Sequence, residues 1–180
     1  MSKKLFVISG PSGAGIGEVL QTVFAARSDV GTVTPLTARK MKEGEKDGAG
    51  FYFYDLEGWN ALKEAGDLLE TTEFAGNDYG TSRRLVEEQL AAGRNVLLNL
   101  SVERAAQVKR SMPEAVCVYI EPSPAVLRER CRRIARSEFE VSVRMEEAAR
   151  QRALAGFCDH FLNSDDLGAA AAELEALLDG

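Results

Sequence analysis

Gly10-Pro11-Ser12-Gly13-Ala14-Gly15-Ile16-Gly17 follows the apolar run Leu5-Phe6-Val7-Ile8-Ser9. It precedes Glu18 to Arg27, where Val19, Leu20, Val23 and Phe24 share one helical stripe. A short unbroken apolar run suits a strand buried on both faces, and the stripe suits an amphipathic helix. Strand, glycine-rich turn and helix together form the setting of a phosphate-binding loop with the pattern G-x-x-x-x-G-K-[ST]. In that pattern the glycines let backbone N–H groups curl around a phosphate. The Lys neutralises the outer phosphates, and the hydroxyl helps to hold Mg²⁺. Here Ile16 stands in the place of the Lys and Gly17 in the place of the hydroxyl. The backbone frame (Gly10, Ser12, Gly13, Ala14, Gly15, Ile16, Gly17) is kept, and both working side chains are gone. A glycine-rich β–α turn with no ligand is the alternative reading of such a loop.

Further along, strands and helices alternate. Asn95 to Leu100 reads as a second buried strand, preceded by Gly93 as a stop for a helix over Arg83 to Ala92. Val116 to Ile120 reads as a third, and Ser123-Pro124 supply an N-cap and a first-turn proline for a helix through Arg132. A long helix is expected over Phe139 to Leu154 and a short strand at Phe161-Leu162. Asp165 or Asp166 would cap a final Ala/Leu-rich helix. This alternation predicts an α/β fold with a parallel sheet flanked by helices. The segment from Thr32 to Gly93 differs. Its charged, glycine-bearing stretch Lys40 to Gly50 leads into Phe51-Tyr52-Phe53-Tyr54. A helical stretch, Asp55 to Ala65, and a strand-like one, Leu68 to Phe74, follow. An inserted mixed α/β lobe is expected at 32–93, between core segments 1–31 and 94–180.

The length of 180 residues suits one domain with a substantial core. The net charge of -6 argues against general nucleic-acid binding, although Arg128, Arg130, Arg132, Arg133 and Arg136 gather locally. That cluster is either a solvated helix face or a phosphate clamp. No apolar stretch is long enough to span a bilayer, and Lys3-Lys4 with the short run after them reads as a strand rather than a signal peptide. Cys117, Cys131 and Cys158 are odd in number and lack C-x-x-C spacing, so no disulfide framework or metal site is expected and the setting reads as cytoplasmic. His160, the single histidine, reads as structural.

Four stretches together resemble the guanylate kinase family over nearly the whole chain. Gly10 to Gly15 is similar to its phosphate loop. Thr37-Ala38-Arg39, Lys42, Gly44-Glu45 and Asp47-Gly48 resemble its T-T-R-x-x-R-x-G-E-x-x-G run. Glu70 with Gly76-Asn77-Asp78-Tyr79-Gly80-Thr81-Ser82 resembles its L-E and G-N-Y-Y-G-T-S stretches, and Asn163 with Asp165-Asp166-Leu167 its N-D-D-L. The resemblance implies a P-loop NTPase-like core, a GMP-binding lobe and a short lid at about 132–140. It implies that Arg39 and Tyr79 bind the GMP phosphate and that Lys42 stands for a second phosphate-binding Arg. Glu70 and Thr81 would read guanine, and Arg39 and Arg144 would be catalytic arginines that reach phosphates. A guanidinium fork suits phosphate, and a carboxylate suits the paired N–H donors of guanine.

The departures from the family pattern fall mostly at phosphate and metal positions. Lys42 replaces an Arg, Phe51 a phosphate-binding Tyr and Pro35 a guanine-binding Ser. Asn99 and Ser101 stand for Asp residues, and Ile134 aligns with a lid arginine for which Arg133 or Arg136 would substitute. Glu18 adds a carboxylate where a triphosphate would sit. Removing one stabilising donor from such a reaction costs about 10²–10³ in rate. Three function classes stay open: a GMP or related purine-nucleotide binder with ATP-dependent transfer to GMP lost or impaired, a functioning kinase with an altered donor site, and a phosphopeptide or protein interaction module. Mg²⁺ and ATP are implied only for an active enzyme. Retained Glu70 argues for a guanine ligand over a peptide.

Overall fold

The computed structural model describes residues 3–180, so the first two residues of segment 1–31 lie outside it. The chain builds two sheets. The larger comprises β1 (Leu5–Ser9), β2 (Val30–Gly31), β7 (Asn95–Asn99), β8 (Val116–Glu121) and β9 (His160–Asn163), in the order β2-β7-β1-β8-β9. All its pairings are parallel.

β1 explains why its sequence carries no alternation. Leu5 and Val7 face a cluster with Val96, Leu98, Cys117 and Tyr119, whereas Phe6 and Ile8 face another with Leu97, Val118 and Ile120. The first cluster is covered by α3 (Arg83–Ala91) and α4 (Val102–Ser111), through Val86, Val102, Ala105 and Val108. The second is covered by α1 (Ile16–Ala26) and α7 (Leu167–Leu178), through Val19, Leu20, Val23, Ala171 and Leu174. A strand covered on both faces has no polar side to write into its sequence.

The smaller sheet holds β3 (Leu36–Thr37), β4 (Tyr52–Phe53), β5 (Leu68–Phe74) and β6 (Asn77–Ser82), ordered β4-β3-β6-β5. β5 and β6 form a hairpin that pairs Glu70 with Thr81. Its turn, Ala75-Gly76, takes positive φ at both residues (51° and 74°), the conformation that matches the twist of paired strands. The helix α2 (Leu56–Glu64), capped by the Asp55 carboxylate at Gly58 N–H, packs Trp59 beneath this sheet. The helices α5 (Pro124–Ile134) and α6 (Glu138–Leu154) form an arm with its own small core of Leu127, Cys131, Val141 and Ala148.

Two details depart from the sequence expectations. Ser123 sits at the N-cap of α5 but its hydroxyl makes no capping bond; its N–H instead donates to Asp165 at 2.6 Å. That engages Asp165 elsewhere and leaves Asp166 to cap α7 through Ala169 N–H. The second is α4, which the periodicity reading does not assign. Its apolar positions are only Val102, Ala105 and Val108 among charged neighbours.

Candidate functional site

The glycine loop lies between β1 and α1 and lines a cavity of about 620 Å³ with Asn99, Arg130, Arg133, Ile134 and Leu167. Gly13 and Gly15 hold φ of 93° and 80°, which side chains rarely adopt. Gly10 has a different reason to be glycine, since a Cβ there would strike the carbonyl oxygen of Ile120. Gly17, by contrast, has open space around its Cβ direction.

The loop's frame therefore stands, and the cations around it are engaged to different degrees. Ile16, only 8% exposed, turns into the apolar cluster beside Ile8 and Leu162. Arg130 is used as a brace. Its Nη2 donates to the carbonyls of Ser164 (2.7 Å) and Asp165 (3.2 Å), and its Nη1 to those of Gly13 and Ala14 at 3.4 and 3.3 Å. Ser164 adds an O–H···O bond to Ala14 at 2.7 Å. Arg133 pairs at 3.6 Å with Glu129 and is exposed. Arg144 reaches the Ser12 hydroxyl of the loop: Nη1 donates to Ser12 Oγ at 3.0 Å, while Nη2 pairs with Glu140 at 2.8 Å. The Arg136 backbone N–H and then Arg144 hold the Glu140 carboxyl below its ordinary range.

On the smaller sheet, Arg39 lies over two rings, with Cζ 5.4 Å from the centroid of Phe51 and 5.0 Å from that of Phe53. Phe51 meets Tyr79 edge-on at 5.7 Å, so Arg39, Phe51 and Tyr79 form one cluster. The guanidinium is bidentate to Glu45, at 2.7 and 2.5 Å. That bond, followed by one from Lys42 N–H, lowers the Glu45 carboxyl to about 2. Lys42 joins through its backbone only, at 2.7 Å, and its residue is exposed.

The finding that sequence reasoning missed lies beside Glu70. Its side chain is fully buried and already paired. Arg104, on the first turn of α4, places Nε 2.5 Å from Oε2 and Nη2 2.8 Å from Oε1, and Thr81 Oγ1 donates to Oε1 at 2.6 Å. Glu70 and Thr81 are thus brought together, and a third residue closes the carboxylate. The retention of Glu70 consequently no longer argues for a guanine ligand, because the buried charge is satisfied from within. The only sequence signal was indirect: Ser101 as a cap with Val102, Ala105 and Val108 at helical spacing marks α4.

A parallel sheet with a glycine loop feeding a helix, joined to a small mixed sheet, defines a P-loop kinase-type α/β fold. A crystal structure of guanylate kinase from Anaplasma phagocytophilum shares it, with a TM-score of 0.67 and 24% identity, over 99% of this chain and 85% of that one. The family model described as guanylate kinase matches residues 2–180. The chain is 40% identical over 176 residues to a guanylate kinase of Parasynechococcus marenigrum, covering 97% of each. It is 38% identical over 177 residues to one of Prochlorococcus marinus, covering 97% of this chain and 94% of that one. The chain belongs to the guanylate kinase family.

Proposed function

We propose that this family member holds GMP or a related purine nucleotide on its smaller sheet, through Arg39, Lys42, Tyr79 and Thr81, with Glu70 at the base-reading position held by Arg104, and that phosphoryl transfer from ATP to GMP is lost or strongly impaired. In this reading residues 1–31 and 94–180 form the core, 32–93 the nucleotide lobe and about 132–140 the lid. The observation that carries the reading is Ile16, whose side chain is buried in the core at the position where the loop pattern asks for a phosphate-facing cation.

The residues present do not fit a metal-bound triphosphate. No charged side chain at position 16 and no hydroxyl at position 17 meets it, Asn99 brings a neutral amide to the cavity, and Glu18 brings a like charge. Transfer of this kind works by positioning and electrostatic stabilisation, so those losses fall on the chemistry itself. Three free, buried cysteines support a reducing, cytoplasmic setting. No helix among the described residues is long and apolar enough to cross a membrane.

Calorimetric titration with GMP, Mg·ATP and a phosphoserine peptide tests the reading. It predicts binding of the nucleoside monophosphate without binding of Mg·ATP at millimolar concentration. Tight ATP binding would overturn it. Peptide binding in place of GMP would make the lobe a protein-interaction surface. A functioning kinase with a rebuilt donor site is the second reading, favoured by Arg144, whose guanidinium already touches Ser12.

A further inference from the structure

Glu70 is read by two parallel N–H donors from one flat group. Those donors are Nε and Nη2 of Arg104, directed at Oε2 and Oε1 respectively. This is the same donor pattern that the Watson–Crick edge of guanine presents, an N1–H beside an exocyclic N–H, and a carboxylate cannot accept both from a guanidinium and from a base at once. Adenine offers an acceptor at the corresponding ring nitrogen, so an unoccupied Glu70 would prefer guanine to adenine. An occupied one has no such preference to express.

Arg104 is held in place rather than loosely draped. Residues 104, 107 and 111 lie on one face of α4, and all three reach β5, the edge strand of the smaller sheet. Gln107 exchanges two bonds with the backbone of Thr71, each 3.0 Å. Ser111 Oγ donates to the carbonyl of Leu69 at 3.0 Å. These contacts fix the first turn of α4 against Glu70. The exchange of Arg104 for a base is also electrostatically unfavourable. A neutral guanine would replace a cation at a carboxylate with no solvent exposure, leaving a buried charge without its counterion.

We propose that Arg104 is a specificity-determining residue that fills the base-reading position as an internal guanidinium, so that the lobe takes nucleoside monophosphates through the phosphate without selecting guanine. The inference rests on the reading of the lobe as a nucleotide site. It assigns Glu70 a structural pairing in the unmodified chain and a base-reading role only when Arg104 is withdrawn.

The test is calorimetric binding of GMP, AMP and ribose 5-phosphate to the unmodified chain, to Arg104→Ala and to Arg104→Lys. The Lys variant keeps a cation near Glu70 but not the planar fork, so it guards against a fold lost with the charge. Circular dichroism reports whether each variant is folded. GMP and AMP should bind the unmodified chain with affinities within about threefold of each other, and a variant should prefer GMP by about tenfold or more, the value of a recovered hydrogen bond to a charged group. A tenfold GMP preference in the unmodified chain would overturn the inference, as would folded variants that bind both nucleotides with an unchanged ratio. Those outcomes leave the nucleotide reading standing. If neither nucleotide nor ribose 5-phosphate binds any folded form, the lobe is not a phosphomonoester site and the inference falls together with that reading.

Discussion

Gln107 completes the edge of the smaller sheet at Thr71, with its side-chain amide donating to the carbonyl and accepting from the N–H at 3.0 Å each. A side chain thereby does what a further strand would do for β5, tying α4 to the sheet and protecting an exposed edge. Gln107→Ala should cost about 1–3 kcal/mol, because two backbone groups lose their partners together. Urea unfolding measures this. A loss below about 0.5 kcal/mol, the range of an ordinary surface change, would mean that water replaces both bonds at no cost.

Gly10 and Ile120 define how closely the loop approaches β8. Because a Cβ on Gly10 would strike the Ile120 carbonyl oxygen, a backbone atom with little freedom to yield, Gly10→Ala should destabilise the chain by about 1–3 kcal/mol or more. Thermal unfolding checks it, with Gly17→Ala as the matched control, since the space at that position is open. Equal melting temperatures for the two variants would contradict the described loop.

The clamp between Arg39 and Glu45 should make ligand binding insensitive to protein titration at mildly acid pH. A carboxyl lowered from 4.5 to about 2 contributes stability that is fully present above 4.5 and is lost progressively as pH falls from there through about 2. The second ionisation of a phosphomonoester, near about pH 6, lies well above that window. GMP affinity should therefore fall as pH drops through about 6, with the same midpoint in Glu45→Gln. A midpoint that moves with that substitution would place the titrating group in the protein.

Restoring Ile16→Lys and Gly17→Ser together should recover Mg·ATP affinity by about tenfold or more, because the glycine frame is already shaped for phosphate. The cost is stability, about 1–3 kcal/mol, since Ile16 is packed in the core and a Lys stem replaces only part of that contact. Turnover should recover less than binding, because Asn99, Ser101 and Ile134 are unchanged. Unaltered nucleotide affinity in a folded double variant would show that the loop's deficit lies elsewhere.

The sequence made the core legible where its patterns are local. The uninterrupted run Leu5 to Ser9 and the stripe of Val19, Leu20 and Val23 each need only their neighbours to be read, whereas the choice of Asp166 over Asp165 as the cap of α7 depends on the distant bond from Ser123 to Asp165. β3 and β4 are two residues long and exist because β6 and each other supply partners, which no window of sequence shows. The site divides in the same way. Arg39 and Glu45 sit six positions apart and could be read as one motif, whereas Arg104 meets Glu70 across 34 positions through a helix whose buried face is small. Glu70 could be read as retained. That it is already occupied could not.

Steady-state conversion of GMP and Mg·ATP to GDP and ADP by the unmodified chain, purified free of contaminating kinase, bears most directly on the claim that Ile16 and Gly17 disable the donor site. Kinases typically turn over at about 1–100 s⁻¹, and loss of a single stabilising donor costs about 10²–10³ in rate. Turnover is expected at least about 10²-fold below that range. Turnover within the range, abolished by Arg144→Ala, would contradict it and assign the missing loop charge to Arg144.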